Sequence, residues 1–184
     1  MTPEYVLKEK GLQPGVDVTI DTSVQFDMMA GSFIGGNCDY VTMFEPTASE
    51  TESAENGYVL ASIGKESGEI PYTAFFARQS YLKEQDSKVS RFTAAVTKGM
   101  EWVSSQSANQ TAEVISSQFP GTSIDVLTNV IQRYKDIDAW NEDLRMQPEA
   151  FDRLQTVIQE AGELKENVDF QTIVDNTWAE KAAE

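Results

Sequence analysis

The stretch Tyr72–Ala77, YTAFFA, constrains this chain most, because it reads as one buried strand set before a long run of helical pattern. Pro71 precedes it, and a residue without an N–H fits the start of a strand but not its interior. After Ser80 the apolar residues take the three-to-four spacing of helices. Val89, Phe92, Val96, Met100 and Val103 make one stripe, Ile124, Leu127, Ile131 and Tyr134 a second, and Phe151, Leu154, Ile158 and Ala161 a third. Each stripe is expected to face a core. A lone strand cannot satisfy its own backbone N–H and C=O groups or make a sheet. It therefore joins strands in the first part of the chain, or is shaped to join strands that this chain does not contain.

The first part reads as α, β, α, β. TPEYVLKEKG predicts a helix ending near Lys10, with Thr2 as cap, Pro3 at the first helical position and Gly11 as left-handed stop. Val16–Ile20, VDVTI, alternates as a strand does. A helix follows over about Phe26–Ile34, and Gly35, Gly36 and Asn37 turn the chain into NCDYVTMFEP. There Asp39–Met43 reads as a strand covered on both faces, stopped by Pro46, which holds Glu45 extended at the strand's carboxyl end. Open α/β sheets place ligands at that end. TASETESAEN predicts a solvated helix and turn, Tyr58–Ile63 a further strand, and GKESGE a flexible connector. A short helix with Ile173, Val174, Thr177 and Trp178 closes the chain.

Charge and composition remove several function classes. The chain has 14 basic and 30 acidic residues and a net charge of -16, which opposes a phosphate backbone or an anionic membrane surface and argues against nucleic acid as a partner. Histidine is absent, and with it the usual general base, the commonest zinc ligand and the ordinary serine or cysteine triad. The single cysteine, Cys38, forbids an internal disulfide and is expected as a small buried apolar residue. No cofactor or metal site is called for. No apolar run approaches the roughly 20 residues of a spanning helix, and MTPEYVLKEK lacks the order of a signal peptide.

Four stretches taken in order resemble the substrate-binding proteins of ABC importers for nitrate, sulfonates, taurine and thiamine-precursor pyrimidines. They are TPEYVLKEKGLQPGVDVTI, GNCDYVTMFEP, IPYTAFFARQSYLKE and LQTVIQEAGELKENVDFQTIVDNTWAEKA. The resemblance implies an α/β fold of the periplasmic-binding-protein type II kind, helix-rich, with the ligand in a cleft between two lobes. It implies that residues 1–68 are the second lobe lacking its first strand and residues 69–184 the returning, mostly helical part of the first. Members of that family carry about a hundred further residues before the Thr-Pro turn, including an export signal, so an N-terminally truncated chain is expected. The lone strand would then be missing its neighbours, and the unpaired edge would favour self-association. The full-length protein is expected as a periplasmic or cell-surface lipoprotein that hands its ligand to a membrane permease.

The candidate ligand-binding residues are Thr2, Gln25, Phe26 and Glu45. Thr2 and Pro3 open a helix, where exposed N–H groups and the dipole favour an anion, although plain capping is the alternative. Gln25 and Phe26 stand at a neighbouring strand end and helix start. Glu45 either accepts hydrogen bonds from a ligand or bonds loop N–H groups and fixes the cleft wall. As a catalytic base it lacks a visible acid partner. Trp140 in IDAWNEDL either covers a ligand or lids a core. Two rival readings are a pyrimidine-forming enzyme of the same fold, whose chemistry leans on histidine and a cysteine-rich segment, and an acidic helical interaction module.

Overall fold

The computed structural model describes residues 1–141 and 143–183, and they form eleven α-helices and two single 3-10 turns. The chain divides into two compact units: Met1–Ser67 with Ser107–Ile137, and Gly68–Gln106 with Asp138–Glu184. Residues 107–137 pack with the first of these units.

In the first unit, α1 (Thr2–Glu9) ends as its glycine dictates, with Gly11 at φ 80°. Met1 occupies the cap position, and no side chain caps the helix. Thr2 is its first residue, so the expected threonine cap is not formed. A 3-10 turn, Phe26–Met28, leads into α2 (Met29–Ile34), and α3 (Thr47–Ser53) and α4 (Ile63–Glu66) follow. The GKESGE connector is thus partly helical, because the Ser62 hydroxyl accepts the Lys65 N–H at 3.3 Å and starts a turn. The core of this unit lies between α7 (Ala108–Ile115) and α8 (Ile124–Asp136). Ser107 and Gln110 start α7 with a reciprocal capping box, and Ser123 caps α8. Ala112 is fully buried and gives the helices room to approach, while Leu127 and Ile131 of the predicted stripe fill the seam. Each such aliphatic side chain contributes roughly 1.5–3 kcal/mol on burial.

The second unit holds α5 (Gln79–Glu84), α6 (Asp86–Ser105), α9 (Pro148–Glu160), α10 (Phe170–Ile173) and α11 (Thr177–Ala182). Helix α11 packs on α6, where Trp178 Nε1 donates to Asp86 Oδ1 at 3.0 Å. Phe151 meets Phe170 edge-on at 5.6 Å. The α9 stripe turns out rotated: Ala150, Phe151, Gln155 and Val157 are buried, whereas Leu154 and Ile158 are half-buried. Gln155 is drawn inward because its Oε1 accepts the Val168 N–H at 2.6 Å. The α6 stripe differs more, since no residue of that helix is fully buried and Phe92 stands 47% exposed.

The four expected strands form no ladder among the described residues, whose one bridge pairs Pro14 with Val18. Val16–Ile20 is interrupted by a tight turn, closed when the Gln13 N–H donates to the Asp17 carboxylate at 2.9 Å and the Val16 N–H to the Gln13 carbonyl at 3.0 Å. Gly15, at φ 82°, permits that turn. Residues 40–44, 57–62 and 71–78 lie outside helices and outside any ladder, and Ile63 begins α4. Tyr40, Tyr58, Leu60, Tyr72, Phe75 and Phe76 are each at least 74% exposed. Cys38, expected inside, is exposed in this same region, where no ladder among the described residues covers it.

Candidate functional site

The first unit brings Phe26 and Glu45 into one neighbourhood through Phe44. The rings of Phe26 and Phe44 lie 5.4 Å apart at 43°, and both are about half exposed or more, which makes a small aromatic platform. Gln25, extended at φ -64° and ψ 146°, is the cap residue of the 3-10 turn that carries Phe26. Its side chain makes no capping bond and is exposed to solvent. Thr2 is the first residue of α1.

Next to Phe44, Glu45 faces inward, with its side chain only 10% exposed. One carboxylate oxygen accepts the Ser49 N–H at 2.9 Å and so closes the N-terminus of α3; the other accepts Arg133 Nη1 at 3.1 Å. The cis Glu45–Pro46 bond precedes that helix. Arg133, on α8, also donates to the buried Ser49 hydroxyl at 2.8 Å and pairs with Glu52 through Nη2. Glu52 in turn accepts the Val59 N–H at 3.0 Å. That N–H holds the Glu52 carboxyl below the usual carboxylate range, and Arg133 adds to the effect against a burial cost. Burial pulls the Arg133 guanidinium down, but its bonds to Glu52 and Glu45 outweigh this and hold it above its ordinary value. The anion that α3's N-terminus favours is therefore supplied by the protein itself. Both Glu45 oxygens accept from protein donors.

Arg133 is the residue that sequence reading missed. It lies between Ile131 and Tyr134 in the last turn of α8, so by pattern it is an ordinary helix-end cation. Its acidic partners lie 81 and 88 positions away in sequence. No spacing rule could have paired them. Trp140 is half-buried in the loop before α9. Two shallow depressions, both in the second unit, contain none of the expected residues: one of about 270 Å³ beside Asp143, Arg145 and Ala179, and one of about 620 Å³ lined by Phe76, Ala77, Arg78 and Tyr81. Among the described residues no cluster of acidic or cysteine side chains could hold a metal, and no helix is long and apolar enough to cross a membrane.

The family model described as NMT1-like matches residues 1–116, which include Thr2, Gln25, Phe26 and Glu45. The chain belongs to the NMT1-like family. A relative of this NMT1-like chain is the Bacillus subtilis (strain 168) protein named "Putative binding protein YtlA", 36% identical over 181 residues. The alignment covers 98% of this chain and 54% of YtlA, so the chain spans about half the length of that relative. No solved structure matches.

Proposed function

We propose that this chain is the solute-binding component of an ABC importer. It captures a small anion or polar metabolite of the nitrate, sulfonate, taurine or pyrimidine kind and presents it to a membrane permease. The observation that carries the reading is membership of the NMT1-like family through the stretch holding all four candidate residues, together with a relative named as a binding protein. The fold in this reading is of the periplasmic-binding-protein type II kind, and the place of action is the periplasm or the cell surface. Gln25 and the Phe26–Phe44 platform contact the ligand, Thr2 supplies a helix-start donor, and Glu45 holds the wall on which they stand. Ligand binding stabilises a closed state that the permease recognises, and the ligand leaves chemically unchanged. The chain has no histidine, the most frequent general acid–base group.

Calorimetry tests the proposal on the chain itself and on a chimera in which the portion of YtlA outside the matched residues is joined to it in YtlA's order. The probes are nitrate, taurine, alkanesulfonates and aminopyrimidines. The chain alone is expected to bind at millimolar strength or not at all, and the chimera to bind one probe about a thousandfold more tightly, the equivalent of two or three charge-assisted hydrogen bonds. Thr2→Ala and Gln25→Ala in the chimera should each weaken that binding. Saturable binding of no probe, or turnover of the bound one, overturns the proposal.

A further inference from the structure

Seven asparagines occur in the chain, and Asn56 is the one followed by glycine. The pair lies in the turn that closes α3. There the Glu55 N–H donates to the Glu52 carbonyl at 2.9 Å and the Asn56 N–H to the Thr51 carbonyl at 3.1 Å, with Glu55 left-handed at φ 59°. These bonds hold the backbone as far as the Asn56 nitrogen and stop there. Among the described residues, no hydrogen bond engages the Asn56 side chain or the Gly57 N–H, and Asn56 is exposed to solvent. Packing dictates the glycine, because a Cβ at residue 57 would lie 2.7 Å from Cε1 of Phe33. The same missing side chain leaves the Gly57 nitrogen uncrowded. Asn176 is the contrast: its amide accepts the Met146 N–H at 3.1 Å and donates to the Met146 carbonyl at 3.0 Å, which holds the side chain in place.

We propose that Asn56 is a self-modifying site, converted to aspartyl and isoaspartyl forms by attack of the Gly57 backbone nitrogen on its side-chain amide, with water as the co-reactant. The Gly57 N–H gives its proton to hydroxide, and the nitrogen forms a bond to Asn56 Cγ. The tetrahedral adduct collapses, the Cγ–Nδ2 bond breaks, and Nδ2 takes up a proton from water and leaves as ammonia. A five-membered succinimide remains. Water then adds to one of its two carbonyl carbons. Breaking the bond from the ring nitrogen to Cγ gives aspartate. Breaking the bond to the backbone carbon of residue 56 gives isoaspartate, in which the chain runs through the side-chain methylene. The sum is amide plus water to carboxylate plus ammonium, with no change of oxidation state. Ring closure turns the Asn56 side chain and its Cα–C bond, and neither of the two bonds that close α3 has to break. Conversion adds a carboxylate next to Glu55 in sequence. The isoaspartyl form also lengthens the chain between α3 and Val59, whose N–H Glu52 accepts at 3.0 Å.

The test incubates the 184-residue chain in mildly alkaline buffer, in ordinary and in heavy-oxygen water. Ion exchange is expected to resolve a growing species one charge more negative, heavier by about 1 Da in ordinary water and carrying one heavy oxygen in the labelled water. Tandem mass spectrometry should place the change at residue 56, as aspartyl and isoaspartyl forms together. The rate in the folded chain should lie within about tenfold of the rate in urea, since no tertiary bond opposes the ring closure. Gly57→Ala is unsuited to the test because its Cβ would meet Phe33. Asn56→Gln, one methylene longer, should slow the reaction at this position at least about tenfold. The inference is overturned if no labelled product forms, if another asparagine of the folded chain reacts as fast, or if the folded rate falls more than about tenfold below that in urea. An Asn56→Gln chain that acquires the charge at the original rate overturns it as well.

Discussion

Replacing Arg133 with alanine should destabilise the first unit more than any other single change to a charged residue. The side chain donates to Glu45 at 3.1 Å, to Ser49 at 2.8 Å and to Glu52, and its loss would leave Glu45, with 10% of its side chain exposed, and Ser49, at 2%, without that donor. Breaking a fully buried pair by removing one partner costs about 3–5 kcal/mol. Arg133 and Glu52 are 30% and 34% exposed, so water recovers part of that and the Glu52 arm contributes least. The expected loss is about 2–4 kcal/mol, a factor of roughly 30 to 1,000 in the folding constant. All three tryptophans, Trp102, Trp140 and Trp178, lie in the second unit, so their fluorescence does not report on this one. Urea unfolding followed by far-UV circular dichroism is the suitable assay, repeated for Glu45→Ala and for the double variant. The cycle should return a coupling energy between Arg133 and Glu45 of about 1–3 kcal/mol. A loss below about 0.5 kcal/mol for Arg133→Ala, or additive single changes, would refute the view that this clamp holds α3 to α8.

Leu127→Ala, at a position 1% exposed between α7 and α8, should cost about 2–5 kcal/mol in the same urea assay, whereas Val16→Ala, at 78% exposure, should cost under about 0.5. Gly68→Ala should cost about 1–2 kcal/mol, because Gly68 sits at φ 73° and a Cβ there would lie 3.4 Å from the Arg153 guanidinium; unchanged stability would show that the turn rearranges freely. The Glu52 carboxyl is held low in the folded chain, so its contribution is fully present above the ordinary carboxylate pKa of about 4.3 and is lost as pH falls through its folded value. Glu52→Gln should therefore flatten the acid limb of a stability-versus-pH profile between about pH 5 and 3, and leave the neutral-to-alkaline limb unchanged in shape. Cys38 is exposed and should react stoichiometrically with a thiol reagent without denaturant; protection of that thiol in the native chain would show that residues 37–44 are covered.

Local chemistry was legible in the sequence wherever the cause lay within a few residues. Gly11 at φ 80° ends α1, Gly36 at φ 77° follows α2, and Pro148 opens α9, each because backbone conformation is restricted by the residue itself. The α8 stripe was equally readable, since Leu127 and Ile131 share a face by helical period alone. Family membership was legible from the order of four motif stretches, three of which lie within the matched residues 1–116. Three things were decided only by tertiary structure. Glu45 and Arg133 are 88 positions apart, and their pairing depends on how α3 and α8 meet. Gln155 is buried because Val168 offers it a backbone N–H, which overrides the apolar period of α9. The strand-like runs remain without a ladder because extended backbone is stabilised by a neighbouring strand and not by its own residues, so a pattern such as YTAFFA specifies a capacity to pair while the partner decides whether a sheet forms.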